Sequence, residues 1–116
     1  MMSQQQWQRI CATQDLFDNA GVCALLTAND TEQQVAIFKV KKEQENIYAI
    51  GNFDPIGKAN VLYRGIVGSI GDQPVVSSPL YKQHFSLVSG QCLQEEAINV
   101  PVYQVRVQDG FVELFA

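Results

Sequence analysis

The sequence is most informative at Ser78-Pro79-Leu80-Tyr81-Lys82-Gln83-His84-Phe85-Ser86-Leu87-Val88-Ser89-Gly90. This stretch begins with a Ser-Pro turn sequence and continues into an apolar run over 85–88, which predicts a short strand followed by a turn at Gly90. Because side chains alternate along a strand, His84 and Phe85 are expected on opposite faces. We therefore expect His84 to be an ordinary surface or strand-edge histidine, not a metal ligand.

The rest of the chain contains many short β-type runs and little helical pattern. The clearest pair is 103–108 and 111–115, two alternating runs joined by Asp109-Gly110, a dipeptide that favours a two-residue hairpin. Residues 13–17 are expected to form a single helical turn with Thr13 as its N-cap. Closely spaced strands predict an all-β fold, a small antiparallel sandwich or barrel. Further strands are expected at 7–10, 22–27, 34–40, 46–51, 66–70, 75–77 and 85–88.

Length and composition set the class of protein. The chain has 116 residues, enough for one hydrophobic core, so we expect a single domain over residues 1–116. It has no apolar run near the roughly 18 residues that cross a bilayer, which argues against a membrane protein. Its first residues lack a basic region followed by an apolar stretch, so we expect no secretory signal and a cytoplasmic location. A net charge of -4 argues against a nucleic-acid partner, because binding phosphates requires clustered basic residues.

The sequence presents no evident catalytic group. Cys11, Cys23 and Cys92 are odd in number and widely spaced, which fits neither a disulfide framework nor a Cys-x-x-Cys site. We expect Cys23 to act as a small hydrophobe and Cys92 to be partly exposed. Glu95-Glu96 is typical of a solvated turn, and the chain shows no nucleophile–base pair or Gly-rich phosphate loop.

Two loops resemble the cluster-binding loops of a Rieske iron–sulfur domain. In that family the second loop has the pattern Cys-Pro-x-His followed by a Phe and then a Gly. Pro79, Phe85 and Gly90 keep this register, but Ser78 stands at the cysteine position and Tyr81 at the histidine position. The resemblance therefore implies a Rieske-like fold in which the second loop has lost its ligands.

The first loop of the resemblance is Asn52-Phe53-Asp54-Pro55-Ile56, where the Rieske pattern has Cys-Pro-His. Asp54 stands at the cysteine position and Ile56 at the histidine position. A Rieske [2Fe–2S] centre needs two thiolates and two imidazoles, whereas this chain has one histidine in total. Oxygen ligands such as Asp54 and Ser78 also match iron–sulfur chemistry poorly. We therefore expect no cluster and no metal at these positions.

Nearly the whole chain resembles the small subunits of bacterial NAD(P)H-dependent nitrite reductase, in which the ligands of both loops are absent. This resemblance implies a non-catalytic subunit that supports the reduction of nitrite to ammonium by a large subunit. In that family the large subunit carries FAD, sirohaem and an iron–sulfur cluster and takes electrons from NAD(P)H. The resemblance implies no cofactor in this chain itself. Further segments that carry it are Trp7, 21–26, 34–38, 61–65 and 105–110.

Without a cluster, the two loops are candidates for contact with that large subunit. One proline in each loop limits its conformations, which lowers the ordering cost of binding. Ile56, Leu80 and Tyr81 would form an apolar and aromatic surface, and Lys82 would add a charge at its rim. The alternative is that Ile56 and Leu80 only fill the space that a cluster would occupy.

Arg64 lies between the two loops in the sequence. Its guanidinium could pair with Asp54 and so restrain the first loop. The alternative is ordinary solvation at the end of a strand, since exposed ion pairs contribute only about 0–1 kcal/mol.

Two other classes of function stay open. One is a free-standing Rieske-like adaptor or regulatory module, which would also lack catalytic residues. The other is a Rieske-type ferredoxin that carries electrons, and the missing ligands argue against it.

Overall fold

The secondary structure consists of strands joined by short turns, in a computed structural model that describes residues 5–28, 30–41 and 45–116. These described residues contain 3-10 turns at Thr13–Asp15 and Leu62–Arg64, and no helix among them is long and apolar enough to cross a membrane. The fold is all-β, as the spacing of apolar runs predicts. The strands are β1 Trp7–Ala12, β2 Ala20–Ala28, β3 Thr31–Lys41, β4 Glu45–Gly51, β5 Phe53–Asp54, β6 Ala59–Asn60, β7 Ile66–Ile70, β8 Gln73–Ser77, β9 His84–Ser86, β10 Val102–Gln108 and β11 Phe111–Phe115.

The largest sheet is antiparallel and nearly closed. Its six strands lie in the order β1-β11-β10-β4-β3-β2, so β1 and β2 are the outer strands. The side chain of Gln8 in β1 joins them, because its Nε2 donates to the backbone oxygen of Thr27 (2.5 Å) and its Oε1 accepts from the Thr27 N–H (3.2 Å). A side-chain amide therefore completes the sheet where no backbone ladder connects the two strands.

Two smaller sheets complete the fold and carry the two loops. Strands β7, β8 and β9 form an antiparallel sheet, and the short strands β5 and β6 form a two-stranded ribbon. The first loop, residues 52–58, includes β5. The second loop, residues 78–83, connects β8 to β9. We call these two loops together the tip.

The core has two parts, and β3 separates them. Val35, Ala36, Ile37 and Phe38 are all fully buried, because both faces of this strand are covered. Alternation directs Val35 and Ile37 to one cluster, with Leu26, Val112 and Leu114 in the same group. Ala36 and Phe38 belong to the other cluster, whose further members are Val40, Ile50, Leu62, Val76, Phe85, Leu87, Cys92 and Val100.

The turns show where local sequence rules hold and where they fail. Asp109 and Gly110 have φ angles of 53° and 80°, the conformation of a type I′ hairpin, and they join β10 to β11 as predicted. The helical turn at Thr13–Asp15 is also present, but the N-cap role predicted for Thr13 is wrong. Ala12 is the N-cap residue, and Oγ1 of Thr13 donates instead to the backbone oxygen of Gly110 (3.1 Å).

Candidate functional site

The first loop is anchored by Asn52, a fully buried residue directly after β4. Its Nδ2 donates to Oε1 of Gln34 (3.1 Å) and to the backbone oxygen of Asn60 (3.1 Å). Its Oδ1 accepts from the N–H of Tyr63 (2.8 Å), and its backbone oxygen accepts from the N–H of Leu62 (3.1 Å). A buried amide needs such partners, and here they fix the path of the loop. Nothing in the sequence marks this role, because an Asn after a strand is an ordinary turn residue.

Asp54 shapes the first loop through its buried carboxylate. Its Oδ1 accepts from the backbone N–H groups of Ile56 (2.8 Å) and Gly57 (3.0 Å). Its backbone oxygen accepts from the N–H of Lys58 (2.7 Å). An Asp that accepts hydrogen bonds from residues two and three positions later closes a tight turn, and Pro55 restricts the backbone between them.

Ser78 shapes the second loop in a similar way. Its N–H donates to the backbone oxygen of Gln83 (2.8 Å), and its backbone oxygen accepts from the N–H of Lys82 (3.1 Å). Its Oγ accepts from the N–H of Leu80 (3.3 Å). Ser78 is 1% exposed, so these contacts close the loop around a buried hydroxyl.

A hydrogen bond between Asp54 and Ser78 joins the two loops. Oγ of Ser78 donates to Oδ2 of Asp54 at 2.5 Å, and both side chains are buried. Together with the two backbone donors, the hydroxyl gives the carboxylate three hydrogen bonds, which is how a buried charge is compensated without a cation. Gly57 tightens the same junction, because a Cβ at this position would overlap Cδ1 of Leu80.

The tip presents an apolar surface of limited size. Leu80 is 45% exposed and Tyr81 is 64% exposed, and Lys82 is exposed beside them. Phe53, at 48% exposure, lies at the start of the first loop. Ile56 differs from these residues, because it is half-buried and packs against the core cluster that contains Phe38 and Phe85. Ile56 therefore contributes to the core with part of its side chain.

Arg64 does not pair with Asp54. Its Nε donates to the hydroxyl of Tyr63 (2.9 Å), and its guanidinium lies 5.5 Å from the centre of the Tyr63 ring. The carboxylate of Asp54 is already enclosed by donors from its own loop and from Ser78. The proposed ion pair is therefore wrong, and Arg64 is an exposed residue beside the tip.

The thiols of Cys11 and Cys23 are not activated as nucleophiles. Burial raises the pKa of the Cys11 thiol, with a further increase from the nearby charge of Asp15, and burial also raises the pKa of Cys23. A raised pKa reduces the thiolate fraction, which is the nucleophilic form. Two expectations were wrong: Cys92 is buried in the core, and Cys23 is exposed, with its thiol 3.5 Å from Oε1 of Gln34.

A groove of about 440 Å³ lies beside the first loop. Its polar side chains are mostly amides, and the amide of Asn52 is already fully hydrogen-bonded. Tyr103 donates its hydroxyl to Oε1 of Gln33 (3.1 Å), and burial raises the pKa of this phenol, so it is neutral at physiological pH. The groove thus has polar groups for binding but shows no acid–base pair of the kind that catalysis needs.

Comparison with known proteins identifies the family. The model of the Rieske-like [2Fe-2S] domain matches residues 6–115. The nitrite reductase (NADH) small subunit of Escherichia coli strain K12 is 40% identical over 109 residues, which cover 94% of this chain and 96% of that protein. The chain belongs to the family of Rieske-like nitrite reductase small subunits. A solved structure agrees: the E. coli protein NirD superposes with a TM-score of 0.83 at 40% identity, covering 97% of this chain and 98% of that one.

Two further comparisons are informative. The ferredoxin of Sphingomonas yanoikuyae B1 has the same fold, with a TM-score of 0.72 at 18% identity over 96% of this chain and 99% of that chain. A segment of the nitrite reductase [NAD(P)H] large subunit of Klebsiella oxytoca is 37% identical over 106 residues. That segment covers 91% of this chain but only 10% of the Klebsiella protein, so in that protein a domain of this kind is part of a much longer polypeptide.

The [2Fe–2S] cluster that the fold family implies does not fit the residues of the tip. A Rieske cluster requires two thiolates and two imidazoles, and the only histidine of the chain is His84. Nδ1 of His84 lies 3.1 Å from Nε2 of Gln94, outside both loops. The side chains of Asp54 and Ser78 are bonded to each other, and the described residues contain no group of three His, Cys, Asp or Glu side chains placed to hold a metal ion.

Proposed function

We propose that this chain is the non-catalytic small subunit of a cytoplasmic NAD(P)H-dependent nitrite reductase. In this role it binds the large subunit and supports the reduction of nitrite to ammonium there. FAD, sirohaem, an iron–sulfur cluster and NAD(P)H would all be bound by the large subunit. The observation that carries the proposal is the 40% identity to the E. coli small subunit over nearly the full length of both chains.

The Klebsiella protein supports the choice of partner. Its large subunit contains a segment that is 37% identical to most of this chain. A domain that occurs within the same polypeptide as the large subunit is held beside it at a high effective concentration. A separate chain with the same fold needs a binding surface that provides this proximity without a covalent link.

We further propose that Asp54 and Ser78 stand at the cysteine positions of the ancestral cluster, and Ile56 and Tyr81 at its histidine positions. Two cysteines that bind one iron must lie close together. Asp54 and Ser78 meet this requirement, since their side-chain oxygens are 2.5 Å apart. In this view the Asp54–Ser78 hydrogen bond joins the two loops, which is the structural role that the cluster has in a Rieske domain.

The tip is the proposed docking surface, with Leu80, Tyr81 and Lys82 as its exposed contacts. The exposed part of Ile56 would lie at the edge of the same surface. The Asp54–Ser78 hydrogen bond fixes the loops before binding, so little conformational entropy is lost on association. Tyrosine is among the residues enriched at energetically important contacts, so Tyr81 is expected to contribute most of the binding energy and Leu80 to exclude water beside it.

Co-purification with the large subunit tests this function. The full chain should capture the large subunit, and the double variant Tyr81→Ala/Lys82→Ala should capture at least about fivefold less, because it loses a central aromatic contact and a rim charge. The matched control is Phe17→Ala, since Phe17 is 67% exposed, close to the 64% of Tyr81, but lies outside the tip. Equal capture by the double variant and the wild type would contradict the proposed surface. A purified chain that shows visible iron–sulfur absorption would instead favour the ferredoxin alternative.

A further inference from the structure

The basic residues that the structure describes fall into two groups. Arg9 and Arg106 are paired with Glu113, and Lys39 and Lys41 are paired with Asp18. Three other basic residues have no ion pair with any described residue: Lys58, Arg64 and Lys82. Lys42 lies outside the described residues.

The three unpaired cations surround the tip. Lys58 ends the first loop, where its N–H donates to the backbone oxygen of Asp54. Lys82 lies in the second loop, where its N–H donates to the backbone oxygen of Ser78. Arg64 lies near the start of the second loop, because the next residue, Gly65, packs against Ser77. A Cβ at Gly65 would overlap the backbone oxygen of Ser77, which directly precedes Ser78. All three side chains are exposed.

The backbone gives a second, independent indication. Of the described non-glycine residues, Asn19, Asp30, Lys58, Lys82 and Asp109 have positive φ angles. Asn and Asp tolerate this left-handed conformation because their short side chains bond locally, whereas a lysine gains nothing from it. Lys58 (φ 57°) and Lys82 (φ 65°) are the two exceptions, and both lie in the tip. Glycine would relieve the strain at both positions, so the presence of lysine there points to a role of the ammonium groups outside the folded chain itself.

We propose that Lys58, Arg64 and Lys82 form a basic rim around Leu80 and Tyr81, and that its partner is an acidic patch on the large subunit. This inference rests on the proposed function and adds the chemistry of the partner surface. The chain as a whole carries a net charge of -4, whereas the tip is bordered by three cations that have no ion pair with any described residue. A local basic rim on an acidic protein orients the approach of an acidic partner and accelerates association.

Affinity measured at two salt concentrations tests the basic rim. The double variant Lys58→Gly/Lys82→Gly should bind the purified large subunit about fivefold more weakly at low salt, because two exposed ion pairs are lost. The difference in affinity between the wild type and the double variant should decrease as the salt concentration rises from about 20 mM to about 300 mM, because salt screens the ion pairs. Thermal unfolding of the variant alone should show an equal or higher Tm, since positive-φ strain is removed.

Two control variants separate charge from backbone strain. Asp109→Gly relieves a positive φ in the distant β10–β11 turn without removing a cation, and it should leave affinity unchanged. Lys41→Gln removes an exposed cation outside the tip, and it should likewise leave the salt dependence unchanged. If either control bound the large subunit as weakly as the double variant does, the loss of affinity would not be specific to the tip, and the proposal would be wrong.

Carbodiimide cross-linking tests the acidic partner directly. The reagent joins a lysine amine to a carboxylate in contact with it, and we expect amide links from Lys58 or Lys82 to Asp or Glu residues of the large subunit. If the wild type binds but the lysine variants keep its affinity and salt dependence, the basic rim is wrong while the proposed function stands. If the wild-type chain fails to bind the large subunit at all, the proposed function itself is wrong.

Discussion

Two buried carboxylates of this domain are compensated in opposite ways. Glu113 in β11 receives Nε and Nη2 of Arg106 at 2.7 and 2.6 Å, and Nε of Arg9 at 3.5 Å. Asp54 in the tip receives only neutral donors, the hydroxyl of Ser78 and two backbone N–H groups. The difference shows that burial of an acid does not require a cation when the local backbone supplies enough donors.

The same comparison explains how the cations are distributed. Around Glu113, the guanidinium of Arg9 lies 4.2 Å from the centre of the Phe111 ring and that of Arg106 lies 4.4 Å from the Trp7 ring. Both guanidinium groups are thus engaged in contacts within the domain. Around Asp54 the carboxylate needs no cation, and the ammonium groups of Lys58 and Lys82 have no ion pair with any described residue, so they remain available to another molecule.

The largest effect is expected from removing the carboxylate of Asp54. Asp54→Ala leaves the buried hydroxyl of Ser78 and two partly buried N–H groups without this acceptor, and it should lower the free energy of unfolding by about 3 kcal/mol. Ser78→Ala removes one of the three hydrogen bonds to the carboxylate and also the acceptor of the Leu80 N–H, and it should cost about 1–2 kcal/mol. Urea unfolding of the isolated chain measures both values.

Glu95→Ala is the control for that series, because Glu95 is an exposed acid in a turn. Its unfolding free energy should stay within about 0.5 kcal/mol of the wild type. If Asp54→Ala were as stable as this control, the hydrogen bond between the loops would not hold the tip together.

A smaller effect is expected from Glu113→Gln. This change keeps the size of the side chain and removes the charge that pairs with two partly exposed arginines, so it should cost about 1 kcal/mol. The cost should shrink as salt is added, whereas the cost of Ser78→Ala should hardly change, because a buried neutral donor is not screened. Measuring the unfolding free energy of both variants at low and high salt distinguishes the two regions. If Glu113→Gln and Ser78→Ala showed the same salt dependence, the two carboxylates would not be compensated differently.

The smallest effect concerns the thiols, one near each region. Cys11 lies in β1 opposite Val112, next to Glu113, and the Sγ of Cys23 lies 3.6 Å from Nδ2 of Asn52 at the base of the tip. The pKa of both thiols is raised, so they hold their protons more firmly in the folded chain than in the unfolded chain. Their small contribution to stability is therefore present below the unfolded-state pKa and is lost as pH rises through the folded-state value.

Iodoacetamide labelling followed by mass spectrometry measures this shift for each thiol. Labelling of Cys11 and Cys23 in the folded chain should be slow at neutral pH and accelerate at a higher pH than for the chain unfolded in urea. Equal pH profiles in the folded and unfolded chains would contradict the raised pKa values.

Local sequence rules predicted those parts of the fold that depend on neighbouring residues. The Asp109-Gly110 turn and the strands on either side follow from a dipeptide and from alternation. The N-cap at Thr13 failed because its hydroxyl bonds to Gly110, which lies 97 residues away in the sequence. The burial of Cys92 was missed for a similar reason, since it depends on the packing of β9 and of the segments after it.

The tip could be located from sequence but not constructed from it. Asp54 and Ser78 were identified only by their register in a resemblance, and their mutual hydrogen bond spans 24 residues of sequence. Of the two alternatives considered for Arg64, the pair with Asp54 is absent because donors of the first loop and Ser78 already surround that carboxylate, and Arg64 is exposed. The anchoring role of Asn52 requires Gln34, Asn60 and Tyr63 to converge, and none of them is close enough in sequence to indicate it.

The amide of Gln8 has a consequence for how other chains can attach. The free N–H and C=O groups of an outer strand can form backbone hydrogen bonds with a strand of another chain. Such strand addition is a common route both to peptide binding and to aggregation. At Thr27 the Gln8 side chain already occupies the donor and the acceptor that such a neighbour would use. Another strand therefore cannot form backbone hydrogen bonds with Thr27, which favours recognition of this domain through side chains rather than through its backbone.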